Sequence, residues 1–233
     1  MPEMSTISGQ VFEDIDGQGD AFESGDQGKG TVTVRILNSD GTTVLGATTT
    51  DTNGNYTFSN VSAGSYYVVV NSRDIAPKVG YNSGFGLNDV WAEQTYQADS
   101  DGAGPRFGGQ NPAGVDDFAG GSYEHKATVT VSGGNVGGID FGFSFNTIVN
   151  TNDTRQGSLR QFVENANAIT GANASIFKIA GTITLITDAS DQGILPTIED
   201  DGITIDASNQ WGNGPYPDGP GIVVVCTTIN DEL

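Results

Sequence analysis

Five carboxylates fall within eleven residues of one stretch, VFEDIDGQGDAFE: Glu13, Asp14, Asp16, Asp20 and Glu23. Like charges at that density repel one another, so the stretch is either a solvated acidic tip or a place where a cation draws the carboxylates together. Ca²⁺ takes about six to eight oxygens in a flexible geometry. Asp14, Asp16, Gln18, Asp20 and Glu23 offer oxygens at alternating positions of a loop kept flexible by Gly17 and Gly19. The spacing echoes the logic of an EF-hand, but the flanking segments read as strands rather than helices. A second acidic turn, Asp51-Thr52-Asn53-Gly54-Asn55, leaves two roles open for Asp51 and Asn53: a share in the same ion, or an Asx-turn that caps itself.

Other chemistry is sparse. One histidine (His125) and one cysteine (Cys226) cannot make a Cys/His zinc set or an internal disulfide. Neither a G-x-S-x-G elbow nor a phosphate-binding loop occurs. Asp188, Asp191, Asp200 and Asp201 have the residue type of glycosidase carboxylates but read as turn residues. Trp91, Trp211 and Tyr216 are either aromatic platforms for sugar rings or anchors for core and loops. The expectation is a chain without catalytic activity.

The elements that must position these residues are mostly strands. Glycine (34 residues) is abundant without a collagen period, and turn signals recur at short intervals. Alternation predicts strands over 5–12, 31–37, 42–50, 56–58, 65–70, 127–131 and 138–145, the last placing Ile139, Phe141, Phe143 and Phe145 on one face. Residues 74–125, rich in Gly, Asp, Asn and Pro with scattered aromatics, read as a long ordered insertion anchored to the sandwich edge. Residues 157–168 predict the one helix, with Ser158 and Gln161 as a capping box and Leu159, Phe162, Val163 and Ala166 as its apolar stripe. Short strands follow at wide spacing near 176–179, 182–186, 203–205 and 222–225.

The formal charge of −20 excludes an electrostatic footprint for nucleic acid or anionic membrane and makes divalent cations the natural counter-charge. No apolar run is long enough to span a bilayer. The opening residues show no basic region followed by an apolar run, so an exported protein is expected here in mature form or as a fragment.

The order D-x-D-G-x-G-D-x-x-E, T-V-T-V-R-I-L, N-S-D-G-T, T-D-T-N-G-N-Y-T-F and A-G-S-Y-Y-V-V-V over residues 6–70, with the late strand Ile139–Phe143, resembles the B-type repeats of serine-aspartate-repeat surface adhesins, prealbumin-like relatives of the collagen-adhesin B domains. The resemblance implies a small antiparallel sandwich binding Ca²⁺ at loop ends, with Asp14 and Asp16 central. The loop here is two residues shorter between Gly19 and Asp20 than the family's usual form, a departure that bears on Asp20 and Glu23.

A second run is similar to the N-terminal cap of pectin-lyase-like right-handed parallel β-helix domains: Ile148–Asp153, Gly157–Gln161, Ala166–Ala168, Ile194–Ile198 and Ile203–Asp206. It implies a helix plugging the open end of a coil that continues, in the family, for many rungs. Here two or three rungs are expected, so the chain is read as a fragment or as a subunit that stacks this end on a neighbour.

The expected architecture is therefore mainly β. An antiparallel prealbumin-like β-sandwich, residues 1–145 with its insertion at 74–125, precedes the capped start of a right-handed parallel β-helix with one short helix, residues 146–233. The expected role is a calcium-stabilised, non-catalytic extracellular or cell-surface module of a bacterial protein, structural or adhesive, with a host or matrix protein or a glycan as partner. Two alternatives stand beside it: a self-assembling subunit associating through the open β-helix end, and an accessory region of a carbohydrate-active enzyme.

Overall fold

Strict alternation of apolar and polar residues gives one buried face per strand, and a sheet built that way must find a second sheet to cover it. The computed structural model describes residues 4–187, 195–207 and 222–228. The readings of Asp188, Asp191, Trp211 and Tyr216 lie outside the described residues. In chain order the strands are β1 (Ser5–Glu13), β2 (Gln27–Gly28), β3 (Thr33–Asn38), β4 (Val44–Thr49), β5 (Asn55–Val61), β6 (Gly64–Val70), β7 (Glu93–Asp99), β8 (Gly102–Pro105), β9 (Lys126–Val131) and β10 (Phe141–Ser144). They make two sheets, one ordered β2-β1-β10-β7-β8 with β5 on the other part of β1, the second β4-β3-β6-β9.

The inner faces meet in one core. Val32, Val34 and Ile36 of the second sheet pack with Ile7, Val11 and the Phe141/Phe143 face of the first. Ile139, Phe141, Phe143 and Phe145 all enter this core as the alternation predicts, but the strand itself is limited to Phe141–Ser144, and Gly142 and Ser144 between them are buried as well. The sandwich is not purely antiparallel: β1 and β10 run parallel, with Val11 opposite Phe141 and Glu13 opposite Phe143. Residues 74–125 are more than an anchored loop. They supply β7, which pairs antiparallel with β10, and β8, which pairs with β7. Phe118 and Tyr123 from the same stretch cover the outer face of the second sheet against Leu37 and Val69.

After residue 146 the described strands are β11 (Thr147–Ile148), β12 (Asn173–Ala174), β13 (Ile176–Phe177), β14 (Gly181–Thr187), β15 (Ile203–Thr204) and β16 (Ile222–Thr228). They form three parallel pairs, β11–β13, β12–β15 and β14–β16. A solenoid requires a strand hydrogen-bonded to one coil above and another below. Each of these sheets stops at two strands among the described residues, so the expected right-handed parallel β-helix is corrected to isolated parallel pairs beside a helix.

That helix, α1, runs Leu159–Ala168 with Ser158 as N-cap, its hydroxyl accepting from Gln161 N at 3.1 Å. The capping box is only half made, because the Gln161 side chain donates to Asn165 Oδ1 instead. The apolar stripe packs on Ile148, Phe177, Ile183 and Leu185 as the periodicity requires. The polar side is buried too. Asn165 serves as a surrogate backbone, donating to Trp91 O and Phe145 O (both 2.9 Å) and accepting from Trp91 N at 2.8 Å. Ala168 and Ile169 join the sandwich core. No helix among the described residues is long and apolar enough to cross a membrane.

Candidate metal centre

Strand β1 ends where the acidic stretch begins. Its last pairing is Glu13 with Phe143, and the next amide, Asp14 N, still donates to Phe143 O at 2.8 Å. Asp14 is thus pinned to the end of the β1–β10 ladder. The chain then turns back through Gly17, with φ +61. A Cβ there would stand 2.6 Å from Ile176 Cδ1 and 2.9 Å from Thr147 Oγ1, so only glycine fits both the dihedral and the space. Asp16 Oδ1 accepts from Gln18 N at 3.1 Å and Asp14 Oδ2 from Gly19 N at 2.9 Å, which folds the loop over Asp14. Asp26 closes the far end, its two oxygens accepting from Ile15 N and Glu23 N, each at 3.1 Å. The result brings one oxygen each of Asp14, Asp16 and Asp20 within 4.8 Å of one another.

The electrostatics of this cluster are unbalanced. Asp14 is 0 % exposed, and its Oδ1 has no hydrogen-bond partner. Burial pushes its carboxyl up to about 6, with Asp16 adding repulsion and Gly19 N opposing it. The Thr95 hydroxyl, close enough to favour the charged carboxylate, lacks hydrogen-bond geometry, and Thr95 Oγ1 and Thr147 Oγ1 are themselves buried without partners. Buried polar atoms are nearly always satisfied, so an unpartnered oxygen on a buried carboxylate, with the Thr95 hydroxyl unpartnered beside it, calls for a ligand or an ion. The basic group brought toward them is Lys178. The charges of Asp14, Asp16 and Asp20 raise its pKa, but burial outweighs them and the net shift is downward. Lys178 makes no ion pair with them among the described residues; its Nζ lies 4.5 Å over the Phe107 ring.

The other sequence-derived candidates fall elsewhere. Gln18 is exposed at the loop surface. Glu23 is fully exposed and outside the three-carboxylate cluster, its carboxyl raised by Asp20 first and then Asp16 and Asp26. Asp51 caps its own turn: Oδ1 accepts from Asn53 N at 2.8 Å and Asn55 N at 2.9 Å, which holds its pKa down. Asn53 O accepts from Gln10 Nε2 at 2.9 Å. Trp91 is 7 % exposed, with Nε1 donating to Ser72 Oγ at 2.9 Å and Arg73 stacked over its ring, so it offers no free face to a sugar. Sequence reading missed Thr95, Thr147 and Lys178, which lie far along the chain from the loop. No local pattern marks a hydroxyl that only tertiary structure leaves without a partner.

The SdrD B-like domain family matches residues 5–103. The matched stretch holds the acidic loop, the Asp51 turn and β1 through β7. Among solved structures, GBS52, the minor pilin of Streptococcus agalactiae, is similar at 11% identity and TM-score 0.32, over 62% of this chain and 46% of that one. BcpA, the major pilin subunit of Bacillus cereus, is similar at 14% identity and TM-score 0.32, over 62% and 31%. The shaft pilin SpaA of Lactobacillus rhamnosus GG is similar at 13% identity and TM-score 0.30, over 63% and 52%. The chain spans about half or less of each of these proteins.

Proposed function

We propose that the chain is a non-catalytic structural module of a surface or secreted protein, and that Ca²⁺ held by Asp14, Asp16 and Asp20 stiffens the junction between the sandwich and the region after residue 146. The observation that carries the reading is Asp14, a fully buried carboxylate with an oxygen left unpartnered and two further carboxylates turned toward it. Uncompensated, such a group costs several kcal/mol. A divalent ion would offset that cost, and carboxylate-rich flexible loops suit Ca²⁺ better than the small, rigidly octahedral Mg²⁺. Water would complete the coordination. The position gives the ion a mechanical meaning, because Gly17 in the same loop abuts Thr147 and Ile176 from beyond the sandwich. The match of residues 5–103 to the SdrD B-like family supports a surface location.

The test is a melting curve of chelated protein against added Ca²⁺. At about 100 times Kd, binding to the native state alone adds ~2.7 kcal/mol. For a chain of this size that is a rise of roughly 5–10 °C in Tm. Asp14→Asn should abolish the rise. A flat response in the wild type, or an equal rise with Mg²⁺, removes calcium from the account.

A further inference from the structure

Three of the five arginines of this acidic chain line one cavity of about 750 Å³. Arg35 comes from β3, Arg73 from the 3-10 turn Ser72–Asp74 after β6, and Arg155 from the turn that leads into α1. With 29 carboxylates against nine basic side chains, arginines here should find acidic partners readily. These three do not: among the described residues none of them makes an ion pair. Their planes are held by neutral groups instead. Arg35 Nη1 donates to Phe118 O at 2.9 Å and to the Tyr123 hydroxyl at 3.1 Å, with the guanidinium 4.1 Å over the Phe118 ring. Arg73 lies 3.2 Å over the Trp91 ring and donates to Val90 O at 3.4 Å. Burial lowers the Arg73 pKa, and the charges of Glu164 and Asp116 oppose that shift. Arg155 is exposed and takes a left-handed φ of +85, a strained conformation of the kind that gathers at binding sites. Guanidiniums oriented by neutral groups rather than locked in ion pairs, as Arg35 and Arg73 are, are preorganised to take an anion.

The rest of the lining narrows the ligand. Asp116 and Asp117 share the cavity, so three guanidiniums face two carboxylates and leave one formal positive charge. Asp116 is committed to Ser72, accepting from its N at 3.2 Å and its hydroxyl at 3.0 Å. Asp117 is exposed, with Oδ1 accepting from Gly120 N at 2.8 Å. That balance suits a singly charged carboxylate and disfavours a dianionic phosphate. The exposed Asp117 oxygen asks for a ligand that also brings hydroxyl donors. The faces of Trp91 and Phe118 are already covered by guanidiniums, so recognition here runs through charge and hydrogen bonds rather than ring stacking.

We propose that this cavity binds a hexuronate unit of an acidic polysaccharide, its carboxylate on the Arg35, Arg73 and Arg155 guanidiniums and its hydroxyls on Asp117. The proposal is independent of the calcium reading. Its test is calorimetric titration of the whole chain with trigalacturonate in EDTA, so that calcium bridging at the acidic loop plays no part. One-site binding at about 1 mM or tighter is expected, with no heat from neutral galactotriose. Arg155→Gln, an exposed side chain whose loss leaves the core untouched, should weaken binding about tenfold, and Arg73→Gln by a similar factor. Absence of binding, equal binding of galactotriose, equal or tighter binding of triglutamate, or full affinity in a folded Arg155→Gln variant would each overturn it.

Discussion

Replacing Glu93 by Gln should make the protein more stable at neutral and alkaline pH while leaving it unchanged in acid. Glu93 begins β7 opposite Ser144 and is buried at the foot of the turn before α1, where a Cβ on Gly157 would stand 2.7 Å from its Oε2. Gln94 N donates to its Oε1 at 2.8 Å. Burial raises the carboxyl from 4.5 to about 8, with the Asp116 and Glu124 charges adding to the shift and the Gln94 amide opposing it. The neighbouring His125 gives no help, for burial lowers its pKa and keeps it neutral, with Nδ1 toward Gln94 Oε1 and Nε2 toward the Gln156 amide, each at 3.1 Å.

The folded state therefore holds a proton that the unfolded chain gives up above pH 4.5. Stability from this group is fully present below the unfolded value and falls as pH climbs toward 8, where the folded carboxyl also ionises. At ~1.4 kcal/mol for each pH unit crossed, the loss is on the order of 5 kcal/mol. Gln resembles the protonated acid in shape and loses no proton, so it should escape that decline. Urea denaturation of both proteins from pH 4.5 to 9 reads the difference directly, because groups common to both cancel. The gap should open through pH 5–8 in favour of Glu93→Gln and level off above. A gap that stays constant with pH would mean that Glu93 titrates alike in both states, and the argument from burial would fail.

Two further outcomes follow from buried and exposed charge. Lys29 and Glu13, 5 % and 7 % exposed, form a buried ion pair whose Glu13 Oε2 also accepts from Lys78 N at 2.7 Å. Lys29→Met should cost roughly 3–5 kcal/mol in a urea melt by stranding the carboxylate, and Glu13→Gln added to it should restore most of the loss; a double variant no better than the single would refute this. Asp51→Ala should lower Tm by loosening its turn yet leave the calcium response intact, and loss of that response would assign Asp51 to the ion.

Much of the sandwich was legible because its strands obey a local rule. The alternation at 139–145 and 32–36 needs no partner to be read, and the turns at Asp40-Gly41 and Asp51–Asn55 punctuate it. The Ser158 cap likewise depends only on neighbours three residues away. What stayed hidden depends on distant residues. Strand β7, Glu93-Gln94-Thr95-Tyr96-Gln97-Ala98-Asp99, carries buried polar side chains and so shows no alternation. Part of its polarity is met by groups that only the fold supplies, such as His125 Nδ1 against Gln94 Oε1 at 3.1 Å. The acidic loop was visible as a run of carboxylates, but which three converge was set by Asp26, Gly17 and the end of β10. The arginine cavity left no trace in spacing, since its members stand at 35, 73 and 155. The expected coil after residue 146 rested on a resemblance and on strand spacing, which marks where strands recur but not how many stack.

The parallel register of β1 and β10 also determines how the sandwich would carry load. Two adjacent strands pointing the same way send the chain in at one end and out at the other. Tension applied through the backbone would slide these strands along each other, straining the bonds from Val11–Glu13 to Phe141–Phe143 all at once rather than unzipping them one by one. The acidic loop sits at the exit end of that seam, where a bound ion would act as a rivet.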